Sequence, residues 1–406
     1  MGKPVRNITR AKRASDEVIK VAVGCQGGGM HAGFEVGVLT EILKYIIEQK
    51  TRKGTNNQQR LELVGLSGTS AGALCSLMVW YGLAPKKGSP HSGSEQEAID
   101  KLNHFWDDFV AKGGVESVLN FLTYRTFWAE ELEIPVLGIN APVFSTLSPY
   151  GAIFKAVAAC LPSLGVRKQY FDLPNLLAET CPALNNDRID WGNVRTRLLI
   201  GASEVVDGFE AVFDSDLNKT ARDKQVRNWH QRLPLSLAGV AASGTLPIFR
   251  EAEHIDGSYY WDGLYSQNPP VREFIADTED VPDELWIVRI NPQQWPELPK
   301  SNADIQDRQN ELMGNLSLHK ELDFILKVND WADRYQDFRK GHKHVTVRTI
   351  KMKQRTADEL RFSSKFDRSR DFMEKLRKEG GQVAREWLAR WEEGNAGEYP
   401  QDAAYP

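Results

Sequence analysis

One turn constrains the fold of this chain more than any other segment: the five residues Gly68-Thr69-Ser70-Ala71-Gly72. The apolar run from Leu61 to Leu66 before it predicts a buried strand, and the small, apolar run from Ala71 to Tyr81 after it predicts a helix. A strand that reverses into a helix within about two residues needs small neighbours, and this spacing is that of a nucleophile elbow. The Ser70 hydroxyl is then held at a helix N-terminus, where negative charge is favoured. A Gly/Ser turn without chemistry has the same pattern, so the rest of the chain decides between the two interpretations.

The composition excludes some classes of protein. The 406 residues are 41% hydrophobic and 26% charged, which is ordinary for a soluble globular protein. The net charge of -4 argues against a general nucleic-acid binder. The cysteines have neither CxxC nor metal-ligand spacing, so we expect reduced thiols in a cytoplasmic setting and no metal site. There are four of them: Cys25, Cys75, Cys160 and Cys181.

Two segments bear on the relation of the chain to a membrane. The N-terminal segment is basic and has no apolar core of signal-peptide length, so we expect a solvated tail at 1–17 and no secretion by that route. The stretch from Ile134 to Phe154 contains no charged residue, but three prolines interrupt it. Because repeated prolines break a helix, we do not expect it to span a membrane.

The order of predicted elements indicates the fold class. A buried strand from Val18 to Val23 runs into a glycine loop and then a helix from Phe34 to Gln49, and the second strand and the elbow helix follow. Strand, helix, strand and helix in succession predict a parallel sheet covered by helices. The later segments predict strands at 195–202, 209–213, 284–290 and 344–350, a short helix at 235–243, and amphipathic helices at 304–339 and 366–391.

Three segments supply the parts that a serine hydrolase needs. The glycine loop, Gly27 to Gly29, follows the first predicted strand, the elbow with Ser70 follows the second, and Asp262-Gly263 follows a later one. The serine attacks an ester carbonyl, a base takes its proton, and N–H donors hold the oxyanion, each donor contributing about 3–4 kcal/mol.

These segments resemble the motifs of the patatin-like phospholipases. The family's Gly-Gly-Gly-x-Arg/Lys-Gly loop is similar to Gly27 to Ala32, its Gly-x-Ser-x-Gly to Gly68 to Gly72, and its Asp-Gly-Gly/Ala to Asp262 to Leu264. The resemblance covers roughly residues 18–292. Several motifs that occur in the order of the family identify it more specifically than any one motif alone.

The resemblance implies a three-layer α/β/α sandwich with a mainly parallel central sheet, and hydrolysis of lipid acyl esters through an acyl-enzyme. It implies a Ser-Asp dyad with Ser70 as the nucleophile and Asp262 as its base, without cofactor or metal. We expect a lipid ester substrate, a cytoplasmic protein with peripheral membrane contact, and no nucleic-acid partner. The other site residues assigned in this way are glycines: Gly27, Gly28 and Gly29 in the oxyanion hole, and Gly68 and Gly72 in the elbow.

The chain departs from the family pattern at two places. His31, followed by Ala32, stands where the family has a basic residue and then glycine, which affects the turn of the loop. His31 either binds a substrate phosphate or is a loop histidine bonded to a backbone group. Leu264 replaces a small residue after Asp262-Gly263 and is expected to crowd the base.

A second Asp-Gly pair, Asp256-Gly257, competes for the role of base. Asp-Gly is common in turns, so either pair alone carries little weight. The family's Ala-Ser-x-x-x-Pro stretch is similar to Ala242 to Pro247, and its downstream Asn-Pro to Asn268-Pro269. Their spacing favours Asp262 as the base and Asp256 as a turn residue.

We expect three parts along the chain: a basic tail at 1–17, a patatin-like acyl hydrolase domain at 18–300, and a mostly helical extension at 301–406 packed on the core. The segment at about 100–190 is dense in aromatic residues. Helical packing over the sheet and a lid or acyl-chain channel remain equal alternatives there, because apolar cores and apolar sites have the same composition. The extension, with Asn310-Glu311-Leu312, resembles that of bacterial members and has no assigned role.

Three other classes remain as alternatives. An α/β-hydrolase uses serine, acid and histidine in that order, but its elbow follows several strands, whereas one strand precedes it here. A dinucleotide-binding protein would use Gly27-x-Gly29-x-x-Ala32, but it needs an acidic residue at the end of the second strand, which reads Val64-Gly65-Leu66. Fluorophosphonate labelling separates an enzyme from a silent lipid-binding or scaffold protein. The histidines available to a triad after Ser70 are His91, His104, His230, His254, His319, His342 and His344.

Overall fold

The computed structural model describes residues 18–51, 60–89, 92–131, 163, 165–247, 250–276, 280–295 and 297–400. The basic tail at 1–17 and the uncharged stretch at 134–154 lie outside the described residues. Within the described ranges, no helix is long and apolar enough to cross a membrane.

Within the described residues, ten strands, most of them buried, form the centre of the fold. In chain order they are β1 Val18–Cys25, β2 Arg60–Gly68, β3 Arg197–Glu204, β4 Glu210–Asp214, β5 Gln225–Arg227, β6 His230–Pro234, β7 Glu253–Ile255, β8 Ser258–Asp262, β9 Glu284–Arg289 and β10 Thr346–Lys351. The described helices are α1 Gly33–Thr51, α2 Ala71–Leu83, α3 Glu95–Phe109, α4 Gly113–Glu131, α5 Lys168–Phe171, α6 Leu173–Thr180, α7 Pro182–Asn185, α8 Ser215–Lys219, α9 Leu237–Ser243, α10 Glu273–Ala276, α11 Asn302–Arg334, α12 Gln336–Arg339, α13 Gln354–Glu359 and α14 Arg370–Glu392, with 3₁₀ turns at Gly29–Ala32, Trp191–Asn193, Gly263–Tyr265 and Ser363–Phe366.

The strands belong to one sheet with the order β10-β9-β1-β2-β3-β4-β6-β5. The five strands from β10 to β3 run parallel, and β4 is antiparallel to β3. Strands β7 and β8 form a hairpin, and β8 also pairs antiparallel with β3. The mainly parallel sheet predicted from the order of strands and helices is confirmed.

Alternating side chains of β9 show that helices cover both faces of the sheet. Trp286 belongs to the core under α1, α2 and α14, and its ring centroid lies 4.6 Å from that of Trp387 in α14. Leu285 and Ile287 belong to a second core that includes Leu318 of α11. Because successive side chains of a strand point to opposite faces, these two cores lie on opposite sides of the sheet. The three-layer α/β/α sandwich implied by the resemblance is confirmed.

Helices α1 and α14 pack backbone against backbone. A Cβ on Gly37 would overlap the carbonyl oxygen of Arg377, and a Cβ on Gly380 would overlap that of Phe34. The two glycines therefore permit an approach that any other residue would prevent. The contact fixes the C-terminal helix against the helix that follows the glycine loop.

The chain beyond residue 300 contributes to the sheet as well as to the helical layers. The predicted strand at 344–350 is present as β10, which pairs in parallel with β9 from Thr346 to Lys351. The predicted helices after residue 300 are present as α11, α12 and α14. The domain boundary at 300 stays a prediction.

The described part of the aromatic-rich segment packs as helices. Phe105, Trp106 and Phe109 of α3 contact one another, with ring centroids 5.4–5.8 Å apart. Phe105 and Trp106 are fully buried, so these aromatic residues belong to the core. The aromatic residues between 132 and 162 lie outside the described residues, so the lid or channel stays a prediction.

Candidate active site

The topology brings the ends of β2 and β8 together. Strand β4 pairs with one edge of β3, so β2 and β8 share the other edge. Gly68 lies opposite Ile200, and Asp262 lies opposite Ala202. Because β2 runs parallel to β3 and β8 runs antiparallel to it, their carboxyl ends meet head to head. The elbow that follows β2 and the aspartate that ends β8 are thereby placed side by side.

Ser70 occupies the turn between β2 and α2 in a backbone conformation that L-residues rarely adopt. Its φ is 55° and its ψ is -126°. Such a conformation costs about 1–3 kcal/mol and persists only where the surroundings enforce it. A Cβ on Gly68 would overlap the carbonyl group of Gly72, and a Cβ on Gly72 would overlap that of Cys25. Both elbow positions therefore require glycine.

The Ser70 backbone is held on both sides. Its N–H donates to Oγ of Ser243 at 3.0 Å, and that hydroxyl donates to the Gly201 carbonyl at 2.6 Å. The Ser70 carbonyl accepts the N–H groups of Ala73 and Leu74 in the first turn of α2. These contacts hold the Ser70 side chain at the N-terminus of α2, where the helix dipole favours negative charge.

Asp262 is fully buried, with relative exposure of 0%. Its Oδ1 accepts the Leu264 N–H at 2.8 Å, and its own N–H donates to the Thr245 carbonyl at 2.9 Å. Oδ2 has no hydrogen bond of normal geometry within the described part of the chain. Burial raises the pKa of Asp262 to about 7, although the Leu264 N–H and the nearby Ser70 hydroxyl both lower it. A carboxylate with this pKa is a stronger base than an exposed aspartate.

Gly27 packs against the nucleophile. A Cβ on Gly27 would lie 2.7 Å from Cβ of Ser70. The Gly27 N–H donates to Oδ1 of Asn268 at 2.6 Å, and its carbonyl accepts from Nδ2 of Asn291 at 2.9 Å. The resemblance to the patatin-like phospholipases implies that Gly27 belongs to the oxyanion hole with Gly28 and Gly29. Its N–H is already engaged by Asn268, so it is not available as a donor.

Gly28 and Gly29 follow with free N–H groups. Neither N–H has a hydrogen-bond acceptor among the residues that the structure describes. Gly29 has a φ of +58°, and a Cβ on it would overlap the Lys365 carbonyl oxygen. Glycine is therefore required at Gly29 both by conformation and by packing. The two unbonded N–H groups directly follow Gly27, which packs against Ser70.

His31 is a buried structural residue of the loop, with 3% exposure. Its Nε2 lies at hydrogen-bond distance, 2.7 Å, from Oγ of Ser364. Burial and, to a smaller extent, the Lys365 ammonium hold the pKa of His31 well below its ordinary value. A buried, neutral imidazole is poorly suited to bind a substrate phosphate. Of the two alternatives, the loop histidine is the one that these contacts favour, with a side chain rather than a backbone group as its partner.

The competing aspartate lies in a surface turn. Asp256 has a φ of 48°, Gly257 has a φ of 82°, and together they join β7 to β8. Asp256 is exposed and forms no part of the buried cluster around Asp262. These dihedral angles are those of a two-residue hairpin turn, for which Asp-Gly is a preferred sequence.

The described histidines have other contacts, and none of them hydrogen-bonds to Ser70 or Asp262. His230 lies 3.0 Å from Glu273, His104 lies 3.2 Å from Asp108, and His344 lies 3.4 Å from Asp333. His91 lies outside the described residues. A serine, acid and histidine arrangement therefore has no support in the described part of the chain.

The glycine loop leaves no cradle for a dinucleotide. Gly27 abuts Ser70, a Cβ on Gly28 would lie 2.8 Å from Cδ1 of Ile290, and Gly29 abuts Lys365. A pyrophosphate site needs open space over such glycines. Within the described residues, no group of three or more histidine, cysteine, aspartate or glutamate side chains is arranged to hold a metal ion.

Comparison with known proteins identifies the family. The family model named patatin-like phospholipase matches residues 25–275. The chain belongs to the patatin-like phospholipase family. The match begins at the end of β1 and includes the glycine loop, the elbow and Asp262, so all the motifs that suggested the patatin-like phospholipases lie within it.

Solved structures add little to this assignment. Full-length ExoU in complex with full-length SpcU, from the type III secretion system of Pseudomonas aeruginosa, is 12% identical to this patatin-like chain with a TM-score of 0.30. That match covers 91% of this chain and 53% of ExoU. A second ExoU-SpcU complex from the same organism is 11% identical with a TM-score of 0.27, covering 92% of this chain and 53% of that one. This chain therefore spans about half the length of the ExoU chains. No curated protein matches the chain.

The contacts of several buried residues with the glycine loop of this patatin-like site were not predicted from the sequence. Gln26, Asn268, Asn291 and Asn315 form buried hydrogen bonds around the glycine loop. Two of them have a signal in the sequence, because Asn268 and Asn291 each precede a proline, and Asn268-Pro269 is part of the family pattern. Asn315 lies in a charged amphipathic stretch, and nothing local marks it as buried.

Proposed function

We propose that the protein is a serine acyl hydrolase that cleaves lipid acyl esters with Ser70 as nucleophile and Asp262 as base. One observation carries the proposal: Asp262 is fully buried at the end of β8, with Oδ2 unengaged and the Ser70 hydroxyl near enough to affect its pKa. Membership of the patatin-like phospholipase family supports the reaction class.

In the first half-reaction, Oγ of Ser70 attacks the carbonyl carbon of the ester while Asp262 takes the hydroxyl proton at Oδ2. The resulting oxyanion accepts hydrogen bonds from the Gly28 and Gly29 N–H groups. When the tetrahedral intermediate collapses, the bond to the alcohol breaks and Asp262 returns the proton to the leaving oxygen. The acyl group remains on Ser70 as an ester.

In the second half-reaction, a water molecule attacks the acyl carbon and gives a proton to Asp262. Collapse of the second tetrahedral intermediate releases the fatty acid, and the proton returns to Oγ of Ser70. The aspartate alternates between the two charge states in each half-reaction. A pKa of about 7 suits both tasks near neutral pH, because neither state is strongly favoured.

The lipid class of the substrate has further support from the surface near the site. Leu312, Met313 and Leu316 of α11 are 37%, 38% and 54% exposed. They flank Gly314, where a Cβ would lie 3.1 Å from the side chain of Leu264, two residues after Asp262. We propose that this apolar surface contacts a membrane while a lipid ester enters the site. The protein would then act peripherally, from the cytoplasm.

Fluorophosphonate labelling tests the nucleophile. We expect covalent labelling of the wild type, none of Ser70→Ala, and at least about 10²-fold slower labelling of Asp262→Asn. Asp256→Asn is the matched control and should label at the wild-type rate, because Asp256 lies in an exposed turn. Labelling that persists in Ser70→Ala would refute the assignment.

Comparing two substrates tests the lipid class. We expect the wild type to release fatty acid from phospholipid vesicles as well as to cleave p-nitrophenyl butyrate. If it cleaves the short ester and ignores vesicles, the lipid preference is wrong although the serine chemistry stands. Replacing each histidine after Ser70 should leave turnover within about tenfold of the wild type, and a histidine as essential as Ser70 would rule out the dyad.

A further inference from the structure

Helix α11 presents a polar face to the candidate active site. Polar groups buried away from water are costly unless they are hydrogen-bonded, and a buried helix face is usually apolar. The partners of this face are therefore informative, and several of them hold the glycine loop. The buried residues of the face are Glu311, Gly314, Asn315, Leu318 and Glu321.

Asn315 is the polar residue at the centre of this face and is 1% exposed. Its Oδ1 accepts from Nε2 of Gln26 at 3.1 Å and from the guanidinium of Arg289 at 3.5 Å. Its Nδ2 donates to the Pro292 carbonyl at 3.1 Å. The side chain thus bridges the residue before the glycine loop and the segment after β9.

Gln26 connects Asn315 to the loop. Its Oε1 accepts the backbone N–H groups of Ile290 at 3.2 Å and Asn291 at 3.3 Å. Asn291 in turn donates to the Gly27 carbonyl at 2.9 Å. Gln26 has one amide group, and both ends of it are engaged in this network. Loss of Asn315 would leave the Gln26 Nε2 donor without this acceptor and free the amide to rotate.

Gly314 lies against Asn268, a second side chain that bonds the glycine loop. A Cβ on Gly314 would lie 2.6 Å from Nδ2 of Asn268. Oδ1 of the same side chain accepts the Gly27 N–H at 2.6 Å. A larger residue at position 314 would displace Asn268, and with it the loop that lies against Ser70.

We propose that Gly314 and Asn315 are positioning residues for the oxyanion loop. Asn315 bonds Gln26, and the absence of a side chain on Gly314 leaves room for Asn268. Asn268 and Gln26 fix Gly27 and so aim the Gly28 and Gly29 N–H groups at the substrate carbonyl. The inference rests on the proposed function of that loop. Both residues lie beyond residues 25–275, so α11 completes the site from outside the segment that the family model matches.

Kinetics of two variants and a control test the role. Asn315→Leu keeps the branched shape and removes the hydrogen bonds, Gly314→Ala adds the clash, and Lys320→Ala changes an exposed side chain elsewhere on α11. We expect kcat for p-nitrophenyl butyrate to fall at least about 10-fold in the first two, with KM within about 2-fold, because misplaced donors weaken transition-state binding alone. Lys320→Ala should match the wild type.

Two readouts separate positioning from general damage. The inhibition constant of a trifluoromethyl ketone, whose adduct places an alkoxide in the oxyanion hole, should rise in parallel with the loss in kcat. Asn315→Asp keeps an acceptor for Gln26 but loses the donor to the Pro292 carbonyl, so its kcat should fall less than that of Asn315→Leu. If folded Asn315→Leu and Gly314→Ala keep wild-type kcat, or lose it with no change in ketone binding, the proposal is wrong.

Hydrogen exchange keeps the test independent of activity. In both variants the amides of residues 26–33 should exchange faster than in the wild type, while those of 71–83 in α2 stay unchanged. Unchanged exchange at 26–33 would overturn the positioning role. If the wild type hydrolyses no ester, the proposed function fails, and the exchange measurement still decides whether α11 holds the loop.

Discussion

Gly68 and Asp262 lie on the same edge of β3, opposite Ile200 and Ala202, two register positions apart. Strand β2 runs parallel to β3 and ends at Gly68, and β8 runs antiparallel to β3 and ends at Asp262. The carboxyl ends of β2 and β8 therefore face each other. The elbow carries Ser70 just past Gly68. Sheet registry, rather than a flexible loop, therefore determines the placement of Ser70 and Asp262, the proposed nucleophile and base, and rigid placement is what efficient proton transfer requires.

The pH dependence of turnover should report Asp262. The base must be deprotonated to act, and burial raises its pKa to about 7. We expect kcat/KM for a soluble ester to fall as pH drops through about 7 and to level off above it. A profile that stays flat down to pH 5 would show that a group with an ordinary carboxyl pKa, or none, is the base.

Asp262→Asn should stabilise the protein in alkaline solution. A folded-state pKa raised above the unfolded value of about 3.9 stabilises the fold at acid pH and loses that contribution as pH rises through the folded value. The buried charge then costs up to about 4 kcal/mol above pH 8, the equivalent of the three-unit rise to about 7. We expect the Tm of Asp262→Asn to exceed that of the wild type at pH 8.5 and to approach it at pH 5. Equal Tm values at both pH values would contradict the buried charge.

Ser243→Ala should lower both stability and turnover. The Ser243 hydroxyl bonds both the Ser70 N–H and the Gly201 carbonyl, so its removal leaves two buried backbone groups unpaired. We expect a loss of about 1–3 kcal/mol in the free energy of unfolding, measured with urea, and a lower kcat. Ser117→Ala removes an exposed helical hydroxyl and should change stability by less than about 0.5 kcal/mol. A kcat unchanged in Ser243→Ala would show that the Ser70 backbone does not need this support.

His31→Gln should make the protein less sensitive to acid. The pKa of His31 is lowered in the folded state, so the folded protein is stabilised above pH 6.5 and loses this contribution as pH falls. One such group accounts for a slope of at most about 1.4 kcal/mol per pH unit. We expect the drop in Tm between pH 7 and pH 5 to be smaller in His31→Gln than in the wild type. An equal drop would mean that other groups dominate acid unfolding.

Much of the fold and the motifs could be predicted because they depend on residues that are close together in the sequence. The apolar run before Ser70 and the small residues after it specify β2, the elbow and α2, and the glycine loop is similarly bounded by β1 and α1. The predicted helix from Phe34 to Gln49 differs from α1 only by one or two residues at its ends, where short-range preferences are weakest.

The network around the loop could not be predicted, because it depends on side chains far apart in the sequence. Asn268 occupies the Gly27 N–H, so two glycines rather than three remain as donors. Asn315 reaches Gln26 from a helix whose composition looks solvent-exposed. The parallel pairing of β10 with β9 likewise depends on tertiary contacts and cannot be read from the sequence of β10 alone.

Analysis of lipid products tests the central claim most directly. Purified wild type, Ser70→Ala, Asp262→Ala and the turn control Asp256→Ala are incubated with phospholipid vesicles, and the released fatty acids and lysophospholipids are quantified. We predict product from the wild type and Asp256→Ala, and none above background from Ser70→Ala or Asp262→Ala. If either Ser70→Ala or Asp262→Ala releases as much product as the wild type, the Ser-Asp dyad is contradicted.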